Sequence, residues 1–225
     1  MTQRTRWLLL SLGAVLALGL LTACNTSWGT MGPSMMGRGG PGWGAGGSGT
    51  PLTLDEAIGQ AERYVSSLGV PGLQLSEIME FDNQFYVAVE EADTGMHAFE
   101  ILVDRYSGAI YPEPGPNMMW NRKYGGMMGR GMRGGGFAIE IDIDYAFEPM
   151  PVGPEQAREI AQRYLDGTMP GALIGDEADA FYGYYTIHFL RDGRIAGMLS
   201  VHGYTGEVWL HAWHGRFLGM RSFGE

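Results

Sequence analysis

The chain reads as an α+β protein in which a helix-plus-antiparallel-sheet unit occurs twice, and three observations carry that reading. Two amphipathic helix signals open at Thr53 and at Gly153 and place their apolar residues at the same offsets. Each is followed by strand-like runs separated by hairpin signals. Each unit then closes on a similar turn, Asp104-Arg105-Tyr106-Ser107-Gly108 in the first and His202-Gly203-Tyr204-Thr205-Gly206 in the second. A helix feeding a meander, twice over, belongs to the α+β class.

Residues 1–23 have the order of a secretory signal: Arg4 and Arg6, an apolar run from Trp7 to Leu21, then small residues. Ser11, Gly13 and Gly19 interrupt the run, which falls short of the roughly 20 apolar residues of a membrane span. Its ending, Leu21-Thr22-Ala23-Cys24, resembles the lipobox of bacterial lipoproteins. The resemblance implies lipid attachment at Cys24 through a thioether, membrane contact through acyl chains, and an extracytoplasmic address in the cell envelope (periplasm or outer face of the membrane). Cys24 is the only cysteine, so no internal disulfide supports the folded part. Residues 24–50, rich in Gly, Pro, Ser and Met, read as a flexible tether.

The first unit is expected over 51–111. Thr53-Leu54-Asp55-Glu56 is a capping-box signal, and Ala57, Ala61, Tyr64, Val65 and Leu68 share one helical face. Strands follow at 85–89 and 98–103 around Asp93-Thr94-Gly95, with a closing strand at 109–111. Residues 112–136 read as a Gly/Met-rich linker, and the second unit as 137–225. In it, Phe137 to Phe147 alternates as a half-buried strand with Glu140, Asp142 and Asp144 outward. Pro154 sits at a helix first turn, where its missing N–H costs nothing, and Ala157, Ala161, Tyr164 and Leu165 repeat the first helix face. Strands at 184–189 and 195–201 flank the Asp192-Gly193 hairpin signal, and 207–209 closes the unit. A unit of about 60 residues is marginal alone, so the two are expected to share a core or a continuous sheet.

The Glu56-Ala57 and Gln156-Ala157 helix openings, the strands and the Asp104-x-x-Ser107-Gly108 turn together resemble the PepSY domain, in two copies. The second copy departs from the family pattern, with His202 where aspartate is usual. The resemblance implies a small binding or inhibitory module, with a secreted protease or an envelope protein as partner, and brings no catalytic residues.

A formal charge of -10 argues against nucleic acid as a partner. There is no HExxH, GxSxG or P-loop pattern, and the one cysteine is committed to the anchor, so the chain reads as a non-catalytic binding protein. Two features point to a metal. Met118, Met119, Met127 and Met128 lie in glycine-rich chain that forms no helix face, and thioether sulfur selects Cu(I). His211 and His214 point to opposite faces of a straight strand, but a turn at Ala212-Trp213 brings both rings to one ion, with His202 close in sequence. Copper binding through these Met and His residues stands against other readings: adaptable apolar contacts with a partner or expendable oxidation targets for the methionines, and rings that frame tryptophans for the histidines. His97 and His188 are isolated in sequence and read as structural.

Overall fold

The computed structural model describes residues 49–125 and 148–223. Cys24, the tether, Met127, Met128 and the alternating run 137–147 lie outside the described residues. Helix α1 (Leu54–Ser67) precedes strands β1 (Leu73–Phe81), β2 (Gln84–Glu91), β3 (His97–Asp104) and β4 (Ile110–Pro112). A one-turn helix α2 (Pro116–Met119) follows. Helix α3 (Pro154–Thr168) then precedes β5 (Leu173–Ile174), β6 (Asp179–Phe181), β7 (Tyr184–Arg191), β8 (Arg194–His202), β9 (Val208–Leu210) and β10 (Phe217–Ser222).

Local chemistry sets the helix starts. Thr53 caps α1 as half of a capping box with Glu56, a device that contributes about 1 kcal/mol. Gly153 caps α3 ahead of Pro154, without a side-chain hydrogen bond. The β7–β8 hairpin turns on Asp192 and Gly193, both with positive φ (53° and 73°), the backbone that a tight two-residue turn demands.

The strands form one ten-stranded sheet, antiparallel except where β3 and β6 pair in parallel through His97 and Phe181. The sequence runs therefore join in a continuous sheet, and β10 returns to pair with β1. The two helices cover different parts of it. Ala57, Ala61 and Val65 of α1 pack on Ile78, Phe85, Val87, Phe99 and Ile101. Ala157, Ala161 and Leu165 of α3 pack on Tyr185, Ile187, Phe189, Leu199 and Val201.

A third core lies on the faces turned away from the helices. Met79, Phe81, Tyr86, Ala88 and Leu102 meet Phe181, Tyr184 and Met198, with Trp120 supplied from beyond α2. Each such side chain contributes about 1.5–3 kcal/mol by burial, so this shared core binds the N- and C-terminal strands together. The segment read as a linker is packed into the fold up to residue 125: Trp120 joins this core, Tyr124 joins the α1 core, and Glu113, Asn117 and Asn121 are buried. Glu91 holds its end, accepting from Lys123 Nζ (2.6 Å) and the hydroxyls of Tyr124 (2.7 Å) and Tyr182 (2.8 Å).

This helix-free face also carries the polar interior. Along β7 the side chains alternate: Tyr185, Ile187 and Phe189 lie under α3, and Tyr184, Thr186 and His188 point the other way. On β1 the pairing skips Ser76, between Leu75↔Val89 and Glu77↔Ala88. Without that bulge Leu75 and Glu77 would share a face. With it, Leu75 packs in the α1 core while Glu77 turns to the interior, alongside Met79 and Phe81.

Candidate metal centre

Glu113 extends β4 by one residue, its N–H donating to Glu100 O at 3.0 Å. The chain then turns sharply at Gly115 (φ +83°), where a Cβ would stand 3.0 Å from Trp209 Nε1. Only glycine fits both the backbone and the space. One residue into α2, Asn117 clamps the strand: its Oδ1 accepts from Glu100 N at 3.0 Å, and its Nδ2 donates to the carbonyls of Glu100 (2.9 Å) and Glu113 (3.3 Å). The same one-turn helix carries the expected ligands Met118 and Met119. Met118 is half-buried and Met119 is 63% exposed.

His211 and His214 flank a turn beyond β9, and Asp82 and Asn83 of the β1–β2 turn hold its far side. Asn83 Nδ2 donates to Trp213 O, Gly215 N donates to Asn83 Oδ1, and Arg216 N donates to Asp82 Oδ1, each at 2.9 Å. The turn brings both imidazoles to Glu113: His214 Nε2 lies 2.8 Å and His211 Nδ1 2.9 Å from its Oε1. The His214 ring stacks on Phe81 and the His211 ring on Trp213, at 4.5 and 4.8 Å between centroids. The side chains of Glu113 and His211 are completely buried, and that of His214 is 2% exposed.

The donors and acceptors do not balance. Glu113 Oε1 accepts from Trp213 Nε1 (3.1 Å) and His214 Nε2. Glu113 Oε2 has no hydrogen-bond partner. His211 Nδ1 has none either: it is close to Oε1, but off the line an N–H bond needs. Burial raises the pKa of Glu113, but the neighbouring imidazoles outweigh it and hold the carboxyl at about 2.

Behind His211 runs a buried chain of hydroxyls. His211 Nε2 meets Ser200 Oγ at 2.9 Å, Ser200 meets Thr186 Oγ1 at 3.0 Å, and Thr186 donates to Glu100 Oε1 at 2.8 Å. Glu100 also accepts from Tyr86 and Tyr184, at 2.8 and 2.7 Å. With Glu100 ionised each hydroxyl proton is committed in turn, so His211 carries a proton on Nε2 and only its Nδ1 is left to face Glu113. Burial foremost, then the charge of Glu113, raises the Glu100 pKa from 4.5 to about 7. Gln84 Nε2 lies 3.0 Å from His214 Nδ1, so the amide donates there and His214 holds its proton on Nε2. To give that nitrogen to a metal, Gln84 must turn its carbonyl oxygen to Nδ1.

Glu113, His211 and His214 each offer one ligand atom, all within 4.8 Å of one another. Around a tetrahedral ion with bonds of about 2.0–2.1 Å, the close pairs would open to roughly 3.3 Å, a shift within side-chain reach. A second group, Glu77, Asp179 and His188, meets the same spacing.

His202 stands elsewhere. Its Nδ1 accepts from the backbone N–H groups of Tyr204 (3.1 Å) and Thr205 (3.2 Å). Asp104 does the same in the earlier turn, accepting from Tyr106 N (3.1 Å) and Ser107 N (2.8 Å). His202 is thus a turn cap in an aspartate's position. His188, read as isolated, meets Glu77 at 3.3 Å across the interior.

No family model matches the chain, and no curated protein or solved structure matches it either. The site rests on its own geometry.

Proposed function

We propose that the protein is a lipid-anchored, extracytoplasmic, non-catalytic binding protein whose folded part holds a divalent metal ion at Glu113, His211 and His214. The observation that carries this reading is the pair of fully buried, unpartnered atoms, Glu113 Oε2 and His211 Nδ1, in one cluster. A buried polar atom without a partner costs about 1–3 kcal/mol, and more when the group is charged. An ion bound there offsets that cost.

The donor set narrows the ion. Two imidazoles and a carboxylate suit Zn²⁺ and Cu²⁺, whereas Cu(I) prefers sulfur, which these three ligands lack. Copper therefore enters this reading in its divalent form. The lipid anchor rests on the Leu21-Thr22-Ala23-Cys24 sequence, and the PepSY resemblance on the two capped turns and on helices that precede their strands.

The test is Zn²⁺ and Cu²⁺ titration of the detergent-solubilised chain, stripped of metal beforehand, against a competing chelator. Wild type is expected to bind tightly, and His211→Ala and Glu113→Gln to weaken binding at least tenfold. Imidazoles must be deprotonated to ligate, so uptake should also weaken as the pH falls. A cooperatively folded wild type that takes up neither ion would refute the proposal and leave the partner-binding role that the PepSY resemblance implies.

A further inference from the structure

Glu77, Asp179 and His188 come from β1, β6 and β7 and share no residue with the first centre. Their own geometry argues for a ligand. Glu77 is only 8% exposed, yet its Oε1 has no hydrogen-bond partner. His188 Nε2 is buried and also without one, although it lies 3.3 Å from that same Oε1. An ordinary buried ion pair would align the N–H on the carboxylate oxygen and gain a charge-assisted bond. Here the two atoms approach without aligning. Of the six unpartnered buried side-chain atoms among the described residues, four belong to these two clusters.

The backbone makes a specific provision for Glu77. The bulge at Ser76 turns it away from the α1 core, where β1 would otherwise carry it with Leu75. Asp179 sits directly opposite Thr186 on β7, and His188 lies two residues further along the same inward face. That step of about 7 Å separates His188 from the hydroxyl that serves Glu100. The side chains of His188 and Glu77 are 17% and 11% exposed, so solvent reaches this end of the interior, while the first centre is closed.

We propose that Glu77, Asp179 and His188 form a second, separate divalent-cation site. Two carboxylates and one imidazole make it harder than the first, suited to an oxygen-preferring ion such as Mn²⁺. Its partial exposure makes it the faster of the two to exchange. The competing role for His188 is a cation that ties two carboxylates together, which requires no metal.

Mn²⁺ is the probe, and loss of the free-ion electron paramagnetic resonance signal reports uptake by the metal-free, full chain. Wild type is expected to bind one equivalent beyond whatever the first centre takes. Glu77→Gln and His188→Gln are each expected to lower the affinity of that equivalent at least tenfold, in proteins that still melt cooperatively. The His211→Ala/His214→Ala double variant is expected to keep it and to lose tight Zn²⁺ binding, so the two sites fail or stand independently. Uptake unchanged in both Glu77→Gln and His188→Gln, or no uptake by folded wild type, overturns the second site. A fall in stability without a change in Mn²⁺ affinity assigns His188 to the structural role instead.

Discussion

Replacing Glu100 by glutamine removes the carboxylate that accepts from Tyr86, Tyr184 and Thr186 and keeps its shape. Glu100 is completely buried, so solvent does not screen its environment. Burial, reinforced by Glu113, lifts its pKa from 4.5 in the unfolded chain to about 7 in the folded one. The folded state therefore holds this proton more tightly than the unfolded state. The associated stability is fully present below pH 4.5, declines as the pH rises through about 7, and is absent above it. At 1.36 kcal/mol per unit, the swing is about 3 kcal/mol, a readable share of a domain stability of about 5–15 kcal/mol. Glutamine resembles the protonated acid, so the variant lacks this swing. Urea unfolding of the metal-free chain, followed by tryptophan fluorescence at pH 5 and pH 8, measures it. The stability of the variant minus that of wild type should be about 2–3 kcal/mol more favourable at pH 8 than at pH 5. Parallel pH profiles would refute the assignment of a raised pKa to Glu100.

Three further outcomes follow from single residues. Asn117→Ala leaves the Glu100 N–H without its acceptor in a buried place and is expected to cost about 2–3 kcal/mol in a thermal or urea melt; a loss under 0.5 kcal/mol would show that α2 is not clamped by this side chain. His202→Asp is expected to keep the turn within about 0.5 kcal/mol of wild type, and His202→Ala to lose about 1 kcal/mol, both with Zn²⁺ affinity unchanged; weaker Zn²⁺ binding in His202→Asp would return His202 to the ligand set. Cys24→Ala is expected to abolish fatty-acid labelling in cells, and labelling that persists would remove the anchor from the proposal.

Periodic residues made much of the architecture legible, and the exceptions have physical causes. The capping box at Thr53, Pro154 in a first turn and the Asp192-Gly193 hairpin are local signals, and each governs its own few residues in the structure. Strand β1 escaped notice because the bulge at Ser76 breaks its alternation: Leu75 and Ile78 face α1, while Glu77 and Met79 face the interior. Strand β10 has no buried residue because it pairs at the edge of the sheet, and its partner β1 lies far away in sequence.

The candidate sites divide along the same line between local and long-range structure. His211 and His214 were visible because a turn between them is a short-range event, and the turn does bring them to one carboxylate. That carboxylate was not visible. Glu113 lies about 100 residues away in a segment whose glycines, prolines and methionines read as linker, and only the long-range pairing of its N–H with Glu100 O places it. Glu77, Asp179 and His188 are drawn from three strands, and each looks like an ordinary polar residue on its own. Residues 112–125 are hard to read from sequence for a related reason. Composition drew attention to Met118 and Met119, whereas the residue between Pro116 and Met118 makes the buried bonds: Asn117, which satisfies both backbone groups of Glu100. Such an amide leaves no periodic trace, because its partners are backbone atoms of Glu100 and Glu113, outside its own helix.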